Sequence, residues 1–237
     1  MQRIWIRYGA AALLIQALAA CGQAPSDPAT APTAAATPAA MANEAARPSG
    51  PERLVLAFGD SLYAGYGLER GQSLPDAVEA RLRRAGVNAE VVNAGVSGDT
   101  TAAGRQRLAF ALDNLPRKPD LVILGLGGND VLRQISPAET RANLTAMMDE
   151  LKRRGVPVLL TGMLAPPNLG PDFRGQFDRI WPDLAGQYNA TLYPFILEGV
   201  IDNPQLMQAD RVHPTAPGVN RIADALAPLA AKRLGAD

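Results

Sequence analysis

The chain of 237 residues holds a single histidine, His213, three residues after Asp210. If that segment makes one turn, the Asp210 carboxylate can meet the imidazole and orient it as a base. A base held this way activates a serine hydroxyl, and Ser61, in the run Gly59-Asp60-Ser61-Leu62, is the candidate nucleophile. Attack on an acyl carbon creates an oxyanion that needs preorganised donors. Gly98, in Gly95-Val96-Ser97-Gly98-Asp99, offers a backbone N–H with no side chain in the way. Asn129, in Gly127-Gly128-Asn129-Asp130, offers its side-chain amide, and Ser61 its own N–H. Loss of one such donor typically costs roughly 10²–10³ in rate. Together these residue types can transfer an acyl group to water through an acyl-serine intermediate.

Each residue taken alone has a plainer role. Ser61 can simply cap a helix, and Asp60 reads as a cap or turn residue. Gly98 can be a turn glycine, Asn129 a loop amide and Asp210 a loop acid, while Asp130 reads as structural, orienting its loop. Their joint placement is what points to chemistry, and that placement depends on the surrounding elements.

From Glu52 onward the chain alternates short apolar runs with helical patterns. Strands are expected at Leu54–Phe58, Ala89–Asn93, Leu121–Leu126 and Val156–Thr161, with a weak fifth at Thr191–Tyr193. The runs are continuous rather than alternating, as in parallel strands covered on both faces. Ser136-Pro137-Ala138-Glu139 reads as a capping box, and Ser73 with Asp76 starts an earlier helix in the same way. Further helices are expected over Thr100–Leu115, Asp172–Tyr188 and Pro217–Leu234. The order βαβαβαβαβα gives an α/β doubly wound sheet with right-handed crossovers. Ligands bind beyond the carboxyl ends of strands in such sheets, which is where the three glycine-bearing segments fall.

Bulk properties remove several classes. Lys and Arg together equal Asp and Glu at 23 each, so no charge excess points to nucleic acid. One cysteine rules out a disulfide framework within the chain. One histidine and one cysteine leave almost nothing for zinc or copper, and no loop has EF-hand spacing. No cofactor is expected. Arg3 and Arg7 precede an uncharged apolar run, Tyr8 to Ala20, that is too short to span a membrane and suits a signal peptide. It ends in Leu18-Ala19-Ala20-Cys21, which resembles a bacterial lipobox whose cysteine becomes the acylated N-terminus. From Ala24 to Pro51 the chain has 11 Ala and 6 Pro and no Leu, Ile, Val or aromatic residue. Such a segment buries too little to offset its ordering entropy and reads as a disordered tether spanning roughly 30 Å. The expected organisation is a lipoprotein signal peptide at 1–20, a lipidated cysteine and tether at 21–51, and a catalytic domain at 52–237. The expected location is extracytoplasmic, lipid-anchored at a bacterial envelope in the periplasm at the outer membrane, with secretion to the periplasm as the alternative.

The four blocks, in order, resemble the SGNH (GDSL) hydrolases from Leu54 to about Leu234. GDSLYAGYGL, NAGVSGDTTAAG, LGLGGNDVLR and QADRVHP are similar to the multifunctional acyl-CoA thioesterase, arylesterase and lysophospholipase subgroup. The resemblance implies a flavodoxin-like three-layer α/β/α sandwich with a five-stranded parallel sheet. It implies Ser61 as nucleophile, Ser61 and Gly98 N–H with Asn129 as the oxyanion hole, and an Asp210–His213 pair. One departure is Arg211, where the family commonly has glycine. The GxSxG elbow of ordinary lipases is absent, since Tyr63 follows Ser61 by two residues.

These readings converge on a serine ester hydrolase acting on small-molecule or lipid esters: aryl, acyl, lysophospholipid or thioesters. The acyl group is expected against Met163–Pro171 and Pro194–Val200, with Leu74–Val78 at a rim, and Leu164 and Ile196 are the residues expected to set chain length. The rivals are an O-acetyl esterase on polysaccharide and a silent acyl- or glycan-binding envelope lipoprotein. A nucleotide-binding module fits poorly, because Asp130 occupies the third fingerprint position and no P-loop is present.

Overall fold

Five apolar runs pair into one parallel sheet in the computed structural model, which describes residues 47–235. The expected signal segment, Cys21 and the tether through residue 46 lie outside the described residues. The strands are β1 (Arg53–Gly59), β2 (Ala89–Gly95), β3 (Leu121–Gly125), β4 (Val158–Thr161) and β5 (Thr191–Tyr193). Their order across the sheet is β2-β1-β3-β4-β5, and every neighbouring pair is parallel. This is the flavodoxin-like order, whose switch point lies between β1 and β3.

Eight α-helices are described: α1 (Ser61–Ala64), α2 (Leu74–Arg84), α3 (Thr101–Asp113), α4 (Gly128–Leu132), α5 (Pro137–Arg153), α6 (Gly170–Phe177), α7 (Ile180–Tyr188) and α8 (Ala216–Arg233), with a 3₁₀ turn at Pro167–Leu169. The two faces of each strand feed separate cores. Val55 and Ala57 of β1 join Leu121 and Ile123 of β3 under α2 and α8. Leu56 and Phe58 join Val122 and Leu124 under α3, α5 and α7. Burial on both faces explains why the strands read as unbroken apolar runs.

Two local expectations need correction. The single helix expected over Asp172–Tyr188 is divided into α6 and α7. Pro182 lacks the N–H that would bond to the Asp178 carbonyl, and its ring crowds that carbonyl. Asp178 instead turns, and its side chain accepts from Ala165 N at 2.8 Å. At Ser136 only half of the capping box forms, with Oγ accepting from Glu139 N at 3.2 Å. The box at Ser73 and Asp76 is complete. The short helices α1 and α4 had no sequence signal of their own, because four or five residues carry no periodicity. Both begin just past a strand end at the switch point, and they carry Ser61 and Asn129.

Candidate active site

The β1–α1 turn aims Ser61 upward because its neighbours are fixed. Asp60 caps α1 by accepting from Leu62 N at 3.1 Å. Gly65, left-handed at φ 81°, closes the helix through its N–H to Ser61 O at 3.2 Å. Tyr63 is buried, and its hydroxyl lies 2.9 Å from Thr161 Oγ1, tying α1 to β4. Asn93 Nδ2 donates to Tyr63 O at 3.0 Å.

His213 reaches Ser61 from the other end of the chain. Its Nε2 lies 2.9 Å from Ser61 Oγ, and its Nδ1 lies 2.7 Å from Asp210 Oδ2. Donation from Nδ1–H to the carboxylate leaves the Nε2 lone pair facing the hydroxyl, as a base requires. Asp210 Oδ1 also accepts from Val212 N at 2.9 Å and His213 N at 3.0 Å. The turn assumed from the three-residue spacing therefore forms, built on the carboxylate itself. The hydrogen bond from His213, with the two backbone donors, holds the Asp210 carboxyl down at about 2.

The third component is the pair of loops after β2 and β3. Gly98 has φ 87° and lies on the cleft wall with Asn129. Asn129 Nδ2 donates to Asp99 O at 3.0 Å, leaving its second amide hydrogen unused. Among the described residues no acceptor lies within reach of the Ser61 or Gly98 backbone N–H. Three donors without a partner thus belong to residues that line one cleft: Ser61, Gly98 and Asn129. Asp130 is structural as expected: fully buried, it accepts from Thr101 N at 2.8 Å, Thr140 Oγ1 at 3.1 Å and the Thr101 hydroxyl. Asp60, only 3 % exposed, differs in having a single hydrogen-bond donor, and burial pushes its carboxyl up to about 6.

Sequence reasoning missed several supporting residues. Arg107 gathers the strand ends, donating to Gly59 O and Ala94 O at 2.8 Å each while pairing with Asp99 at 2.5 Å. Arg133 donates to Gly98 O at 2.9 Å. Gln208 Nε2 bridges Tyr66 O and Pro214 O at 2.8 and 2.9 Å, locking the histidine loop to the segment after α1. Tyr66 packs against the His213 ring at a tilt of 35°, with centroids 4.4 Å apart. Contacts between side chains and distant backbone, rings or charges leave no trace in local spacing, so none of these had a signal.

Ser61, Gly98, Asn129 and His213 open together into a cleft of about 620 Å³. Its apolar wall includes Leu132, Met163, Leu164, Pro166, Phe195 and Ile201. Leu164 is on this wall, as expected. Ile196 is not: it is 2 % exposed and packs into the core below, while its neighbours Phe195 and Leu197 face the cleft. Leu74, Pro75 and Val78 are likewise buried, on the inner face of α2, and form no rim. Hydrophobicity marked both segments as buried surface but carried no information on which side each residue faces.

Residues 57–221 match the GDSL-like Lipase/Acylhydrolase family. The chain belongs to that family. It is 40 % identical to Esterase TesA of Pseudomonas aeruginosa over 168 residues, covering 71 % of this chain and 83 % of the relative. It is 35 % identical over 173 residues to Thioesterase 1/protease 1/lysophospholipase L1 of Escherichia coli, covering 73 % and 81 %. Among solved structures, the SGNH-hydrolase family esterase AlinE4 matches with 56 % identity and a TM-score of 0.67, over 78 % of this chain and 97 % of that one. For this GDSL-family chain the expected fold, family and carboxylic ester hydrolase class are therefore borne out.

Proposed function

We propose that this ester hydrolase works through Ser61, His213 and Asp210 at a bacterial envelope. The observation that carries the reading is the continuous relay from Ser61 Oγ through His213 to Asp210, at 2.9 and 2.7 Å, opening into an apolar cleft. In the first half-reaction the Ser61 proton passes to His213 Nε2 as Oγ bonds to the acyl carbon. The oxyanion is held by the N–H groups of Ser61 and Gly98 and by the Asn129 amide. The bond to the leaving oxygen or sulfur then breaks, and His213 returns the proton to the leaving group. Water repeats the sequence on the acyl-serine, releasing the carboxylic acid and restoring Ser61.

The apolar wall suits an acyl chain and favours aryl, acyl and lysophospholipid esters over acetylated sugars. Residues 1–20 would direct export, acylated Cys21 would anchor the chain, and residues 22–51 would tether a catalytic domain over 52–237. More than one acyl chain makes such an anchor stable, at roughly 0.8 kcal/mol per buried CH₂. This places the enzyme outside the cytoplasm, away from acyl-CoA. Palmitate incorporation that persists in Cys21→Ala refutes the anchor.

The match covering 97 % of AlinE4 with 78 % of this chain supports residues 47–237 as a soluble form. This form is assayed on p-nitrophenyl esters from acetate to palmitate, beside its Ser61→Ala variant. Activity that disappears in the variant, with medium or long acyl chains preferred, is expected. Activity surviving in Ser61→Ala overturns the nucleophile, and confinement to acetate favours an O-acetyl esterase.

A further inference from the structure

The cleft carries almost no charge. Of the residues lining it, Asp60 is the one carboxylate and is 3 % exposed, and Arg211 is the one permanent cation. Arg211 is exposed, and among the described residues its guanidinium has no carboxylate within salt-bridge distance. Its backbone is also unusual, lying in the left-handed region at φ 58°. Such a conformation costs a residue with a Cβ roughly 1–2 kcal/mol, and glycine would adopt it freely. The chain thus bears a backbone cost to hold an unpaired guanidinium two residues from the base. Strain of this kind gathers where a side chain has work at a site.

The position also selects which part of a substrate it meets. His213 must deliver a proton to the leaving group, so that group passes beside the loop carrying Asp210 to His213. Leu132, Leu164 and Pro166 line the same cleft and offer the acyl chain an apolar wall.

We propose that Arg211 is a specificity residue that favours esters whose alcohol portion carries a phosphate. The inference rests on the Ser61–His213 reading above. A guanidinium presents paired N–H donors that match phosphate oxygens, and such charge-assisted bonds are about twice as strong as neutral ones. Because Arg211 is exposed, solvent and salt weaken the interaction.

The test uses residues 47–237 and two esters of one acyl chain, 1-hexanoylglycerol and 1-hexanoylglycerol 3-phosphate, both below their aggregation concentrations. The readout is the ratio of kcat/KM for the phosphorylated ester to that for the neutral one. The parent is expected to favour the phosphorylated ester roughly threefold to fivefold at low salt, with the ratio declining as salt rises. Arg211→Gly and Arg211→Gln are both expected to bring the ratio close to one. The glutamine variant keeps a side chain on the same backbone, which separates the charge from the loop conformation. A ratio in both variants within twofold of the parent overturns the proposal, as does a parent ratio near one. Running Ser61→Ala on both esters keeps the readings apart: hydrolysis that survives there overturns the nucleophile instead.

Discussion

Replacing Asp60 with asparagine should make the protein more stable at neutral and alkaline pH while changing little in acid. Asparagine keeps the oxygen that accepts from Leu62 N, so α1 remains capped. What it removes is an ionisable group 3 % exposed, raised by burial from 3.8 to about 6. The charges that face it come from every loop around it: His213 opposes the rise, and Asp130 and Asp99 add to it, the latter paired with Arg107. Below about pH 4 the folded and unfolded chains both carry the proton, so Asp60 adds no penalty. Between about 4 and 6 the unfolded chain ionises first and is favoured, so the parent loses stability as pH rises. Above 6 the loss is complete. At about 1.4 kcal/mol for each pH unit, the displacement corresponds to about 3 kcal/mol. Urea unfolding of residues 47–237 reports this directly, since Trp181, 1 % exposed, is the only tryptophan in that segment. The stability of Asp60→Asn relative to the parent should rise by roughly 2–3 kcal/mol from pH 4 to pH 8, or roughly 4–12 °C in Tm. A difference that stays flat within about 0.5 kcal/mol across that range refutes the buried-carboxylate reasoning.

Further outcomes follow from the same geometry. Asn129→Ala, which removes an amide donor from the cleft, should lower kcat roughly 10²–10³-fold while the lost bond to Asp99 O lowers Tm by only about 1–6 °C, checked by steady-state kinetics beside a melting curve. Leu164→Trp should shorten the preferred acyl chain on a p-nitrophenyl ester series. Ile196→Ala should leave that profile in place and cost about 2–5 kcal/mol on unfolding, because Ile196 packs in the core. Arg211→Gly should raise Tm by roughly 1–4 °C, since glycine relieves the left-handed backbone at modest entropic cost; a lowered Tm would contradict the strain at that position.

Much was legible in the sequence because the determinants are local. Continuous apolar runs bounded by glycine and polar residues located the strands, since both faces of this sheet are covered. Asp210 and His213 could be paired from their spacing, because three residues make one turn and the carboxylate caps that turn itself. The four motif blocks indicated the family and with it the order of the strands. The break at Asp178 was in principle readable too, since Pro182 stands four residues beyond it.

Tertiary structure alone decided the rest, because it depends on which surfaces meet. Ser61 and His213 are 152 positions apart and become partners only when β1 and the loop before α8 converge on one end of the sheet. The bonds of Arg107 to the ends of β1 and β2, and of Gln208 to Tyr66 O, join segments that no periodicity relates. Phe195 and Ile196 are adjacent and equally apolar, yet one faces the cleft and the other the core. Composition shows that a side chain prefers to leave water; only the packed fold determines whether it leaves toward the protein interior or waits at a cleft for a substrate.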